Sequence, residues 1–152
     1  MSYAAHAPHH GASVYARVGM ETTVLSASPH QLIAMLFDGA KSAIALARHH
    51  MNEERIAARG QAISKAINIV ENGLKASLDA QAGGATGAAL VANLSSLYDY
   101  IVQRLMYANL RNDPLFLDEA VRLLDTIASA WGEVEGYASR AGDMAGVHAQ
   151  HA

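Results

Sequence analysis

Eight histidines are the first residues to question, because paired imidazoles can hold a metal ion or relay a phosphoryl group. His9 and His10 are adjacent in an Ala/Gly/His-rich stretch, a setting for adventitious metal capture only. His49 and His50 stand near the end of a helical pattern, without the neighbouring Lys and small residues of a phosphotransfer helix, and His30 falls in a first turn. A di-metal carboxylate bundle requires inward Glu side chains and Glu-x-x-His on facing helices. No Glu in this chain is followed by His three residues later. The absence of cysteine removes disulfides, thiolate metal sites and thiol nucleophiles. There are no paired carboxylates, no phosphate-cradling loop and no nucleophile with its base. These residues predict no catalysis, no resident metal and no cofactor.

The chemistry that remains is binding. In NLSSLYDYIVQRLMYAN, from Asn93 to Asn109, Leu90, Leu94, Leu97, Ile101 and Leu105 form one stripe at helical spacing. Tyr98, Val102 and Met106 extend it on one side, and Tyr100 and Tyr107 flank it on the other. The apolar arc covers roughly 260°, against about 100° for a helix that faces one core. The preceding helical pattern repeats the anomaly. Leu32, Met35, Leu36, Ala40 and Ala47 make one face and Ile33, Phe37 and Ile44 another, an arc of roughly 200°. Such faces fit a core plus at least one groove for an amphipathic partner, in which Met35 and Met106 would adapt to the guest. They fit equally a helix buried on every side, or a homodimer seam. Arg104 suits a partner's carboxylate, or an internal ion pair with Asp99 or a neighbouring helix. Asn93 and Asn109 bracket the helix and suit backbone capping as well as contact with a guest. Trp131 reads as a core anchor.

Elements that would position these residues are legible from caps and periodicity. Ser28-Pro29-His30-Gln31 reads as a capping box with Pro at the first helical position, starting a helix that runs to about Met51. A second helix carries Ile56, Ile63, Ile67, Val70, Leu74 and Leu78 on a stripe of roughly 80°. Ala80 to Gly87 reads as a flexible connection, and a third helix follows to about Leu110. Asp113-Pro114 opens a fourth, carrying Leu117, Val121, Leu124, Ala128 and Trp131. No strand-like alternation with hairpin signals interrupts them. The expected fold class is all-α, an antiparallel up-and-down four-helix bundle with a short N-terminal arm or extra helix. The expected organisation is a mobile N-terminal extension over residues 1–14, a helical-bundle domain over 15–135 and a mobile C-terminal tail over 136–152.

Composition bounds the function. With 152 residues the chain forms one domain with a real core, and its net charge of −3 comes from interspersed charges, so no basic stripe offers itself to nucleic acid. The start, MSYAAHAPHHG, lacks the basic-then-apolar order of a secretory signal, and no apolar run is long enough to span a bilayer. The expectation is a cytosolic protein without membrane insertion.

Four stretches carry a resemblance: YARVGMETTVLSASPHQLIAMLFDGA from Tyr15, KAINIVENGLKASLD from Lys65, NLSSLYDYIVQRLMYANLRND from Asn93, and IASAW ending at Trp131. In this order and spacing the chain resembles the FliS family of flagellar secretion chaperones over roughly Tyr15 to Trp131. The resemblance implies an antiparallel helical bundle that binds the disordered carboxy-terminal segment of flagellin in hydrophobic grooves. It implies that the chaperone keeps flagellin from polymerising in the cytoplasm and ready for the flagellar type III export apparatus, with no cofactor and no turnover. It further implies that an arm including Tyr15 lies over part of the client surface in the free chaperone. The flagellin-binding residues expected on this basis are Tyr15, Ile33, Met35, Phe37, Leu94, Leu97, Tyr98, Ile101, Arg104, Leu105, Tyr107 and Asn109. The alternative uses of the same apolar surface are binding of another flagellar regulator and self-association, including a swapped-arm homodimer.

Overall fold

A computed structural model describes residues 26–78 and 84–151, with side chains over 26–78 and 87–134. Four α-helices make up the described residues: α1, Pro29–Asn52; α2, Ile56–Asn68; α3, Gly84–Arg111; and α4, Pro114–His151. A π-helical segment, Ile69–Lys75, continues α2 without a break. The expected all-α class is what the described residues adopt. The expected N-terminal extension and Tyr15 fall outside them, as does the 80–83 part of the expected connection.

Local chemistry sets the ends of the helices. Gln31 N–H donates to Ser28 Oγ at 3.2 Å and Ser28 N–H to Gln31 Oε1 at 2.9 Å, the reciprocal capping box read from the sequence. Leu115 N–H donates to Asp113 Oδ1 at 2.9 Å, capping α4. Both tight turns use a left-handed residue other than glycine. Glu54 has φ 56° and Asn112 φ 52°. After α1, Arg55 N–H reaches His50 O at 2.9 Å and Glu54 N–H reaches Met51 O at 3.3 Å, a Schellman pair. After α3, Asp113 N–H reaches Ala108 O at 3.3 Å in the same manner.

Cross-helix contacts fix the direction of each neighbour. Leu36 meets Gly73 and Gly39 meets Ile69, so α1 runs antiparallel to α2 and its π-helical continuation. Arg59 bonds Asn109 and Lys75 bonds Asp99, so α3 runs antiparallel to that element in turn. Arg104 meets Glu119 and Tyr107 meets Phe116 across α3 and α4, while Arg48–Asp118 and Lys41–Asp125 close α4 back onto α1. This is the up-and-down order expected of short-looped helices. Gly73 matters sterically, since a Cβ there would lie 3.0 Å from Leu36 Cδ2. Gly39 faces a side chain, Ile69, at 3.5 Å rather than another backbone.

The core is apolar and continuous. Phe37, Ile44, Ile63, Val70, Leu74, Ile101, Leu105, Leu117 and Leu124 are its largest fully enclosed members. The π-helical turn has a packing reason. Ala66, Val70, Leu74 and Leu78 are all buried at intervals of four residues. In an α-helix each such step drifts about 40° around the axis, so the last member would leave the core. An i→i+5 turn holds more residues and absorbs the drift. Among the expected α2 stripe, Ile56 stands apart, 69% exposed at the helix start.

Helix α4 continues to His151. No proline follows Pro114, and alanines recur through the tail, so local propensity carries the helix beyond the apolar stripe that ends at Trp131. Trp131 is half-buried against the core. Among the described residues, no helix is long and apolar enough to cross a membrane.

Candidate functional site

The wide apolar arc of α3 divides between two environments. Tyr98, Ile101, Val102, Leu105 and Ala108 are buried, while Met106 is 58% and Leu110 78% exposed. Met106 and Leu110 are one helical turn apart, facing the outer side of α2. Together with Ile63, Ile67 and Tyr107 they line an open groove of about 600 Å³ between the two helices. Ser64, Gln103 and Asn109 supply its polar rim.

A buried cation anchors one end of this groove. Arg59, only 9% exposed, donates from Nε to Asn109 Oδ1 at 3.0 Å and from Nη2 to Asn109 O at 3.1 Å, while Nη1 bonds Asn112 Oδ1. The guanidinium thus satisfies a C-terminal carbonyl of α3 and sits favourably at the negative end of that helix. Gly60 lies beside the same amide.

Tyr107 belongs to two sites. Its ring lines the groove, and it also packs on Phe116 with centroids 5.9 Å apart. Arg104 stacks over Tyr100 at 4.5 Å and lies 5.8 Å from the Tyr107 ring and 5.6 Å from Phe116. Arg111 approaches Tyr107 at 5.3 Å. Glu119 faces Arg104 at 3.8 Å and accepts the Tyr100 hydroxyl. That hydrogen bond, and some burial, raise the Tyr100 phenol above its ordinary pKa. Arg104 therefore takes the neighbouring-helix partner, while Asp99 pairs with Lys75 at 2.6 Å and holds its ammonium above the usual lysine value.

A second apolar depression, of about 340 Å³, lies between α1 and α4, floored by Ile44, Ala45, Leu117 and Val121. Lys41, Arg48, Asp118 and Arg122 surround it, and the pairs Lys41–Asp125 and Arg48–Asp118 cross it.

The structure distributes the residues expected at a binding surface. Phe37, Tyr98, Ile101 and Leu105 lie in the core, closed to solvent in this conformation. Burial pushes the Tyr98 phenol up to about 12. Ile33, Leu94 and Leu97 are half-buried and pack against the core, and Met35 is half-buried on α1. Tyr107 and Asn109 line the α2/α3 groove, and Arg104 lies in the adjoining aromatic cluster. Tyr15 lies outside the described residues. Leu110, Ile67 and Gln103 complete the groove without having been expected there. Their signal in the sequence was the pair Met106/Leu110, which falls off the Leu94–Leu97–Ile101–Leu105 stripe and has no place in a single core face.

Residues 11–138 match the family model described as flagellar protein FliS. The chain belongs to the FliS family. A flagellar secretion chaperone FliS from Salmonella typhimurium is 51% identical over 129 residues, covering 85% of this chain and 93% of that protein. Its counterpart from Escherichia coli is 46% identical over 123 residues, with 81% and 88% covered. A flagellar secretion chaperone FliSB from Pseudomonas aeruginosa is 41% identical over 117 residues, with 77% and 89% covered. The match to the FliS model spans α1 to well inside α4, so the groove and the Arg104 cluster both lie within it. The family is one of chaperones, which is not an enzyme class.

Proposed function

We propose that this chain is a cytosolic export chaperone that binds the carboxy-terminal segment of flagellin, with the α2/α3 groove taking an apolar helical face of that client. The observation that carries the reading is the pair Met106 and Leu110, two of the seven exposed large apolar side chains among the described residues, which line one groove together with Ile67. Flexible methionine suits a groove that is wet when empty and dry when filled. Apolar area removed from water there contributes roughly 25 cal/mol per Å². Ordering a disordered guest opposes it by on the order of 2–5 kcal/mol. Binding of this kind holds the client monomeric and still permits release, because no single contact dominates. Ile33, Met35, Leu94 and Leu97 extend the client path in this reading. Phe37, Tyr98, Ile101 and Leu105 take part as the packed layer behind it. The bundle then hands its client to the flagellar type III export apparatus, without cofactor or turnover.

Calorimetric titration with the carboxy-terminal segment of flagellin from the same organism tests the proposal. One-to-one binding, with a large negative heat-capacity change and gained helicity, supports it. An absence of binding by a folded, helical chain overturns it, and self-association measured by sedimentation would then give the apolar face to a second copy.

A further inference from the structure

The groove has a charged annex. Arg104, Arg111, Tyr107 and Phe116 line an open pocket of about 240 Å³ between the end of α3 and the start of α4. The two arginines are seven residues apart, so they share a face of α3 at a rise of about 10 Å, with Tyr107 between them. Both guanidinium groups approach the Tyr107 ring, Arg104 at 5.8 Å and Arg111 at 5.3 Å. Two cations are thus held close together on a chain whose net charge is −3. Only Glu119 faces them among the described residues, at 3.8 Å from Arg104, and it already accepts the Tyr100 hydroxyl. No hydrogen bond within the described residues occupies the terminal nitrogens of either arginine, whose planar forks match a carboxylate.

From this juxtaposition we infer that the Arg104/Arg111 pocket takes a side-chain carboxylate carried by the same client segment whose apolar face fills the groove. The inference rests on the client reading above and adds a residue type to it. Tyr107 forms a wall of both sites, so a segment that leaves the groove across the outer face of α3 at Tyr107 reaches the cationic pocket. Apolar contacts against a flexible methionine tolerate sliding. A carboxylate set between two arginines on an aromatic floor does not, and so fixes the register of the client.

Arg111 is exposed and makes no ion pair among the described residues, so reversing its charge leaves the bundle intact, as circular dichroism and thermal unfolding should confirm. The flagellin carboxy-terminal segment is titrated into wild type, Arg111→Glu and Met106→Asp at low salt and at about 0.5 M NaCl. The expected result is about tenfold weaker binding by Arg111→Glu at low salt, a difference that shrinks at high salt. Replacing the client's acidic residues one at a time by Lys should restore the affinity of Arg111→Glu at one position. Wild-type binding that Met106→Asp abolishes but Arg111→Glu leaves within about twofold overturns the inference and spares the client reading. A loss that no client substitution restores overturns it too. If wild type itself fails to bind, the client reading falls and the inference falls with it.

Discussion

The guanidinium of the buried Arg59 grips Asn109 twice, at its side-chain oxygen and at its main-chain carbonyl, 3.0 and 3.1 Å away. The contact ties the first turn of α2 to the last turn of α3 and sets the separation of the two helices that flank the groove. Arg59→Met would leave the Asn109 carbonyl and the Asn112 amide oxygen without their donor. Charge-assisted bonds of this kind predict a loss of about 2–4 kcal/mol, read from urea unfolding. A change below about 0.5 kcal/mol would show that water replaces the guanidinium without penalty.

Position along α3 separates core from groove. Ile101 has no exposed surface, whereas Met106 is 58% exposed. Ile101→Asp buries an unpaired carboxylate and should destabilise the bundle by more than about 3 kcal/mol. Met106→Asp should stay within about 0.5 kcal/mol of wild type and act on client binding alone. Equal loss of helicity in the two variants would contradict the division.

Alkaline stability reports on Tyr98. Its phenol is raised to about 12 by burial, and so retains its proton in the folded state at pH values where the unfolded chain has lost it. The folded state then binds more protons, and stability falls as pH rises. The contribution is complete below about pH 10 and disappears as pH climbs through about 12. Lys75 and Tyr100 are shifted in the same direction, by their bonds to Asp99 and Glu119, and add to the slope. Tyr98→Phe should flatten the decline of denaturation midpoint over that window. An unchanged slope would place the loss elsewhere.

Glu54 adopts φ 56° with the Schellman bonds already formed around it, a conformation that a Cβ disfavours. Glu54→Gly should therefore raise stability by about 0.5–1 kcal/mol without altering helicity. A decrease would mean that lost backbone freedom outweighs the relieved strain.

Much of this molecule is determined within one helical turn of sequence. The Ser28–Gln31 box and the Asp113-Pro114 start depend on neighbours three residues away or fewer, so helix boundaries are readable from the chain itself. The all-α class follows in the same way, from apolar spacing without strand alternation, and four ordered motifs suffice to suggest the family. The excess of apolar surface on α3 is equally a sequence property.

Tertiary structure decided how that excess is divided. Periodicity assigns a side chain to a direction around the helix axis, and says nothing of what stands there. Ile101 and Met106 both lie within the broad arc; packing of α2, α4 and α1 encloses the first, while the gap between α2 and α3 leaves the second open. The π-helical turn at Ile69–Lys75 is likewise a response to burial at four-residue intervals, which only a surrounding core can demand. Arg59 and Asn109, or Arg104 and Glu119, are distant in sequence, and their pairing exists because the bundle brings the helices into register. The positions of caps were local facts. The groove, its anchoring cation and its neighbouring pair of arginines are relations between helices, and those the fold alone supplies.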